Sequence, residues 1–163
     1  MYRVSASPRR VLCGYHSTFL RRCNVALLVP FRLLMMVVHF TALICAADGS
    51  DAMIRNASLL PGYGEDDYIF FRRAADACLA GSFIFLFFNS WGVFTARTLR
   101  WGLMNVVHGC CHATAAVLLI VAWSVTAHVA RLWHVFFIFS IIPTGLEVIA
   151  LCESYSRGMD NFF

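Results

Sequence analysis

The sequence predicts an all-α membrane protein: four transmembrane helices in a small bundle, with both termini cytoplasmic. Three observations carry this reading. Four apolar runs, at about residues 30–47, 74–94, 103–125 and 132–151, come near or reach the ~20 residues a helix needs to cross a hydrocarbon core about 30 Å thick. Lipid offers no partner to a bare backbone amide, so runs of this length satisfy themselves as helices. Second, 60% of the residues are hydrophobic and 13% charged, against about a quarter charged in soluble domains. Third, arginine is distributed unevenly about the runs. Arg3, Arg9, Arg10, Arg21, Arg22, Arg32, Arg97, Arg100 and Arg157 fall on one side, and Arg55, Arg72, Arg73 and Arg131 on the other. Basic residues stay on the cytoplasmic face of short-looped membrane proteins, which orients the chain.

Residues 1–29 read as a basic cytoplasmic tail lying on anionic lipid. The tail has no acidic residue and is rich in arginine and serine, the composition also of a mitochondrial targeting segment; it lacks the apolar core of a secretory signal peptide. The first span opens at Pro30, where a missing N–H costs nothing, and carries Arg32 at its end, within snorkelling reach of the headgroups. Residues 48–73 form the exoplasmic loop, with Asp48, Asp51, Glu65, Asp66, Asp67 and the N-glycosylation sequon Asn56-Ala57-Ser58. A short tail, 152–163, follows the last span. All 13 basic residues are arginine, a bias of base composition and not a phosphate-binding surface, so no nucleic-acid partner is expected. The seven cysteines are scattered and fit neither a disulfide scaffold nor a zinc ribbon. Trp91, Trp101, Trp123 and Trp133 fall near span boundaries, as an aromatic belt places them.

An ionisable group at membrane depth costs on the order of 3 kcal/mol, so each one demands an explanation. His108 and His112 lie four apart on one face of the third span. At about 1.5 Å per residue, His112 and His39 of the first span sit at the same depth, roughly 13 Å from the cytoplasmic boundary. Glu147, in the last span, shares a layer with Arg32 and His108, either of which can neutralise it. Pro143 removes the amide that would bond the Phe139 carbonyl and bends that helix. His39, His108, His112 and Glu147 offer zinc-ligand chemistry, or they hydrogen-bond between helices. The second reading is preferred because no ligand-rich motif surrounds them, and neither a metal nor a cofactor is expected. Asp76, Asn89 and Asn105 read as interfacial, and Gly109 with Ala113 as a small-residue seam for close helix contact. With no nucleophile motif, phosphate loop or paired soluble carboxylates, no enzyme is expected; four spans without repeats also disfavour a transporter.

The stretch Arg32 to Phe40, with arginine and histidine seven apart, resembles the opening of the first span in the transmembrane protein 107 family. His112-Ala-Thr-Ala-Ala-Val is similar to that family's third-span histidine followed by small residues. Trp133, the run Phe136-Phe137-Ile138-Phe139-Ser140, Pro143 and Glu147 resemble its fourth span. The resemblance covers about Arg32 to Leu151 and departs in the N-terminal extension, the loop around Asn56 and the second histidine at His108. It implies a four-span protein of the ciliary or flagellar transition zone, a non-catalytic scaffold among membrane lipids and partners of the tectonic and Meckel-syndrome type. Arg32, His39, His112, Trp133, Pro143 and Glu147 are then its structural and interaction residues. The competing reading is a small histidine-bearing mitochondrial or other organellar membrane protein, a metal or redox subunit with a cleaved tail.

Overall fold

The computed structural model describes residues 22–96, 98–99 and 101–156. Seven of the nine arginines on the side expected to be cytoplasmic (Arg3, Arg9, Arg10, Arg21, Arg97, Arg100 and Arg157) lie outside the described residues, as does most of the basic tail.

Among the described residues four helices are long and apolar enough to cross a membrane: α1 (Asn24–Asp48), α3 (Glu65–Phe94), α4 (Gly102–Ser124) and α5 (Ala130–Ser156). Between α1 and α3 lies a short helix, α2 (Ser50–Met53), which runs on as a π-helical turn, Ile54–Ser58. No strand occurs among the described residues. Pro30 sits in the first α-helical turn of α1, behind a π turn at Asn24–Leu28. In α5 a second proline effect is visible. Pro143 has no N–H and its ring crowds the carbonyl four residues back, and the wider π turn Phe137–Ile141 immediately before it takes up the mismatch.

The segment 48–73, expected as a connecting loop, is mostly helical. Asp66 and Asp67 with Glu65 occupy the first turn of α3, where acidic groups meet the positive end of the helix dipole. The Gly64 N–H donates to Asp67 Oδ2 (3.3 Å), and Arg72 pairs with Asp76 one turn on (3.2 Å). Local charge complementarity therefore carries the helix beyond the apolar run. Met53 and Ile54 are fully buried, so the α2 segment caps one end of the bundle. Ser58 ties it down: its hydroxyl donates to the Met53 carbonyl (3.1 Å) and accepts from the Val129 N–H of the α4–α5 connection (3.0 Å).

The bundle is built from two close helix pairs. α1 and α4 share the most extensive contact, made possible where Phe31 lies against Gly109 and Trp123 against Gly49. A Cβ on either glycine would stand 2.3–2.4 Å from the aromatic ring. Gly109 thus forms the expected seam, but its fellows on the buried face are Ala115 and Ala116, with Ala113 only half-buried. α3 and α5 meet in the same manner, Phe136 on Gly81 and Glu147 on Gly92. Membrane helices gain little from mutual hydrophobicity, so small residues that admit a large neighbour decide where they touch.

Candidate functional site

The buried interior has two ends of opposite character. Near the α2 cap it is apolar, with Leu43, Ala46, Ala75, Leu119 and Leu132 almost inaccessible. Towards the other end lie Arg32, His39, Asn89, Thr98, Asn105, His108, His112 and Glu147, each at most 1% exposed.

Arg32 is the hub. Its Nη2 donates to Glu147 Oε2 (3.0 Å) and to the Asn89 carbonyl (3.4 Å). Its Nη1 donates to Asn105 Oδ1 (3.2 Å) and Thr98 Oγ1 (3.4 Å). The Thr98 hydroxyl donates in turn to Glu147 Oε1 (2.7 Å). Asn105 Nδ2 donates to Asn24 Oδ1 (2.9 Å) and the Leu99 carbonyl (2.9 Å), and Asn24 Nδ2 reaches the same carbonyl (2.8 Å). One network therefore joins all four spans and the α3–α4 connection. Arg32, expected to snorkel from the end of its span, instead turns into the bundle and is fully buried. A carboxylate within reach repays more of the desolvation cost than headgroups at a distance.

His108 Nε2 lies 3.5 Å from Glu147 Oε2, close enough for electrostatic attraction but too long for a good hydrogen bond, and neither of its ring nitrogens has a hydrogen-bond partner among the described residues. His39 and His112 face each other Nδ1 to Nδ1 at 3.0 Å, the meeting expected from their common depth. Such a contact requires one ring to donate and the other to accept, so the two imidazoles hold opposite tautomers. His108 stands next along, its ring centroid 6.2 Å from that of His112. Among the described residues no three His, Cys, Asp or Glu side chains are arranged to hold a metal ion.

Asn89 and Asn105 correct the sequence reading: both are buried in the bundle and face no headgroups, Asn105 joining the network by its side chain and Asn89 by its backbone carbonyl. The signal was periodicity. Asn105, His108 and His112 recur at intervals of three and four, one polar stripe on α4, and Arg32 and His39 seven apart form its counterpart on α1. Thr98 and Asn24 had no such signal, since both lie outside the apolar runs. Gly92 is the silent member: a Cβ there would fall 1.5 Å from Glu147 Oε1, so only glycine leaves room for the carboxylate against α3.

The other expected residues lie elsewhere. Trp133 is half-buried, edge-on to Phe136 and stacked on Phe137 (both 5.6 Å), and Pro143 is buried. Asp76 is exposed and paired with Arg72, as an interfacial residue would be. Asn56 is exposed in the π turn after α2, but Ser58 of its sequon is engaged in the tie to Val129. Outside the membrane layer, Tyr68 and Arg55 both hydrogen-bond Asp51 and hold its carboxyl below the usual aspartate range.

Four apolar helices whose interior charges are spent on one another define a multi-pass α-helical membrane protein. The family model TMEM107, described as a transmembrane protein, matches residues 28–151, and the chain belongs to that family. The match takes in most of α1, all of α3 and α4, and α5 past Glu147. No curated protein matches, and no solved structure matches.

Proposed function

We propose that the chain is a non-catalytic membrane scaffold of the ciliary or flagellar transition zone, supporting assembly of the Meckel-syndrome module, ciliogenesis and control of ciliary membrane composition. Membership of the TMEM107 family over residues 28–151 carries this reading. The network around Arg32 supports it, because it commits Arg32, Thr98, Asn105, Glu147 and the Asn89 carbonyl to holding four helices in one arrangement and leaves helix faces and short connections for partners of the tectonic and Meckel-syndrome type. Both termini are cytoplasmic in this proposal, the arginine bias being its support. The polar end of the bundle then faces the cytoplasm, and the α2 cap with Asn56 lies outside.

Tagged protein imaged beside a transition-zone marker is the test. Signal just distal to the basal body is expected, and diffuse endoplasmic-reticulum or mitochondrial signal would defeat the assignment. Protease protection of tags at each terminus and in the α2–α3 connection checks the orientation independently.

A further inference from the structure

Two open apolar grooves run along the bundle where the close helix pairs meet, and they differ in one chemical respect. The groove between α1 and α3 is lined by Leu33, Val37, Phe40, Phe87 and their neighbours, with Ser90 its only polar side chain among the described residues. That hydroxyl is already spent on the Leu86 carbonyl (2.9 Å). The groove between α4 and α5 has a volume of about 310 Å³ and a cation at its end.

The lining of this second groove is a regular seam. α4 contributes Leu118, Val121 and Ala122, with Val125 just past its end, and α5 contributes Arg131, His134, Val135, Ile138 and Phe139, each set at intervals of three and four. Small Ala122 and Ala127 make its hollow. Arg131 directly precedes the fourth apolar run, in the first turn of α5, and Phe139 lies eight residues further along it. Eight residues rise roughly 12 Å, most of the ~15 Å half-thickness of a hydrocarbon core. The groove is thus apolar over the depth of one leaflet and cationic where that leaflet's phosphates lie. His134 Nδ1 is engaged with the Ala130 carbonyl (2.8 Å), whereas the Arg131 guanidinium is exposed and has no partner among the described residues.

We propose that this groove binds one phospholipid, an acyl chain lying along the α4–α5 seam and the phosphodiester held by Arg131. Guanidinium is the side chain best matched to phosphate oxygens, through two parallel N–H donors. Neither half of the site suffices alone, because every bilayer-facing groove meets acyl chains and every interfacial arginine meets phosphates. Their alignment within one leaflet sets this groove apart from its neighbour between α1 and α3.

The test is native mass spectrometry of the full-length protein in detergent, titrated with dioleoylphosphatidylglycerol or with dioleoylglycerol, which has the same chains and no phosphate. One phosphatidylglycerol should be retained per protein, and dioleoylglycerol at least about tenfold less. Arg131→Gln should lower retention about tenfold, and Arg131→Lys, which keeps the charge but loses the paired donors, should lower it by less. Val121→Trp, at an exposed position of the seam, should abolish retention, whereas Val37→Trp in the other groove should leave it unchanged. Equal retention of the two lipids, no effect of Arg131→Gln, or equal loss from both tryptophan variants would each overturn the proposal. None of these readouts depends on where in the cell the protein resides.

Discussion

Severing the Arg32–Glu147 pair should destabilise the bundle more than removing both of its members. The guanidinium has four acceptors within 3.4 Å, and only Glu147 carries charge. Glu147→Gln keeps the shape beside Gly92 but leaves a fully buried cation among neutral dipoles, and breaking a buried ion pair in this way costs about 3–5 kcal/mol. Arg32→Met should cost a similar amount, because among the described residues the carboxylate keeps only the Thr98 hydroxyl, at 2.7 Å, as a hydrogen-bond donor. In the double variant no charge remains to be left unpaired, and the loss should fall to about 2 kcal/mol or less. The two single costs therefore exceed the double by about 4 kcal/mol or more, far above the ~0.5 kcal/mol scatter of independent sites. Reversible unfolding of the four proteins in mixed detergent micelles, followed by far-UV ellipticity, measures the cycle. A double variant that loses the sum of the two single losses would refute direct coupling and with it the network's role in fixing the helices.

Two glycines of the α3–α5 pair should respond in opposite senses. Gly92→Ala puts a methyl group into the Glu147 carboxylate and should cost about 1–3 kcal/mol, whereas Gly145→Ala, with nothing within 4 Å of the added carbon, should gain about 0.5–1 kcal/mol of helix stability in the same unfolding assay. Thr126 holds a φ of 44° where the α4–α5 connection turns, a conformation costly for a β-branched residue, so Thr126→Gly should raise stability by about 0.5–1 kcal/mol; an unchanged or lower value would contradict the strain. The α2 cap should loosen in acid. Tyr68 and Arg55 lower the folded pKa of Asp51 from the ordinary 3.8, so its contribution is present above that value and is lost as the pH falls below it through the folded value. Protection of the amides in residues 50–58, taken relative to each amide's intrinsic exchange rate at that pH, should fall over that range in the parent, and in Asp51→Asn it should be low throughout and free of this titration. Ser58→Ala removes the acceptor of the Val129 N–H and should speed exchange of that amide, in the folded protein, by tenfold or so.

The sequence by itself determined the number of spans, their helical state and the depth of their polar groups. A bilayer imposes a length on any apolar run and a helix on any backbone within it, so His39 and His112 can be assigned one layer, and Glu147 a layer with Arg32 and His108, from a fixed rise per residue. The same rule stops at the membrane surface, which is why the helix at Glu65–Arg73 and the buried cap of Met53 and Ile54 escaped it: water satisfies a loop as readily as a helix, and tertiary contacts choose. Depth also leaves azimuth open. Asn89, near a span end, is equally compatible with facing headgroups or facing the bundle, and only the packing of α3 against the other spans buries it. Thr98 entered the network because the α3–α4 connection folds over the Arg32–Glu147 pair, and Gly92 because α5 needed room for its carboxylate, requirements of three-dimensional packing that leave no periodic trace in the chain.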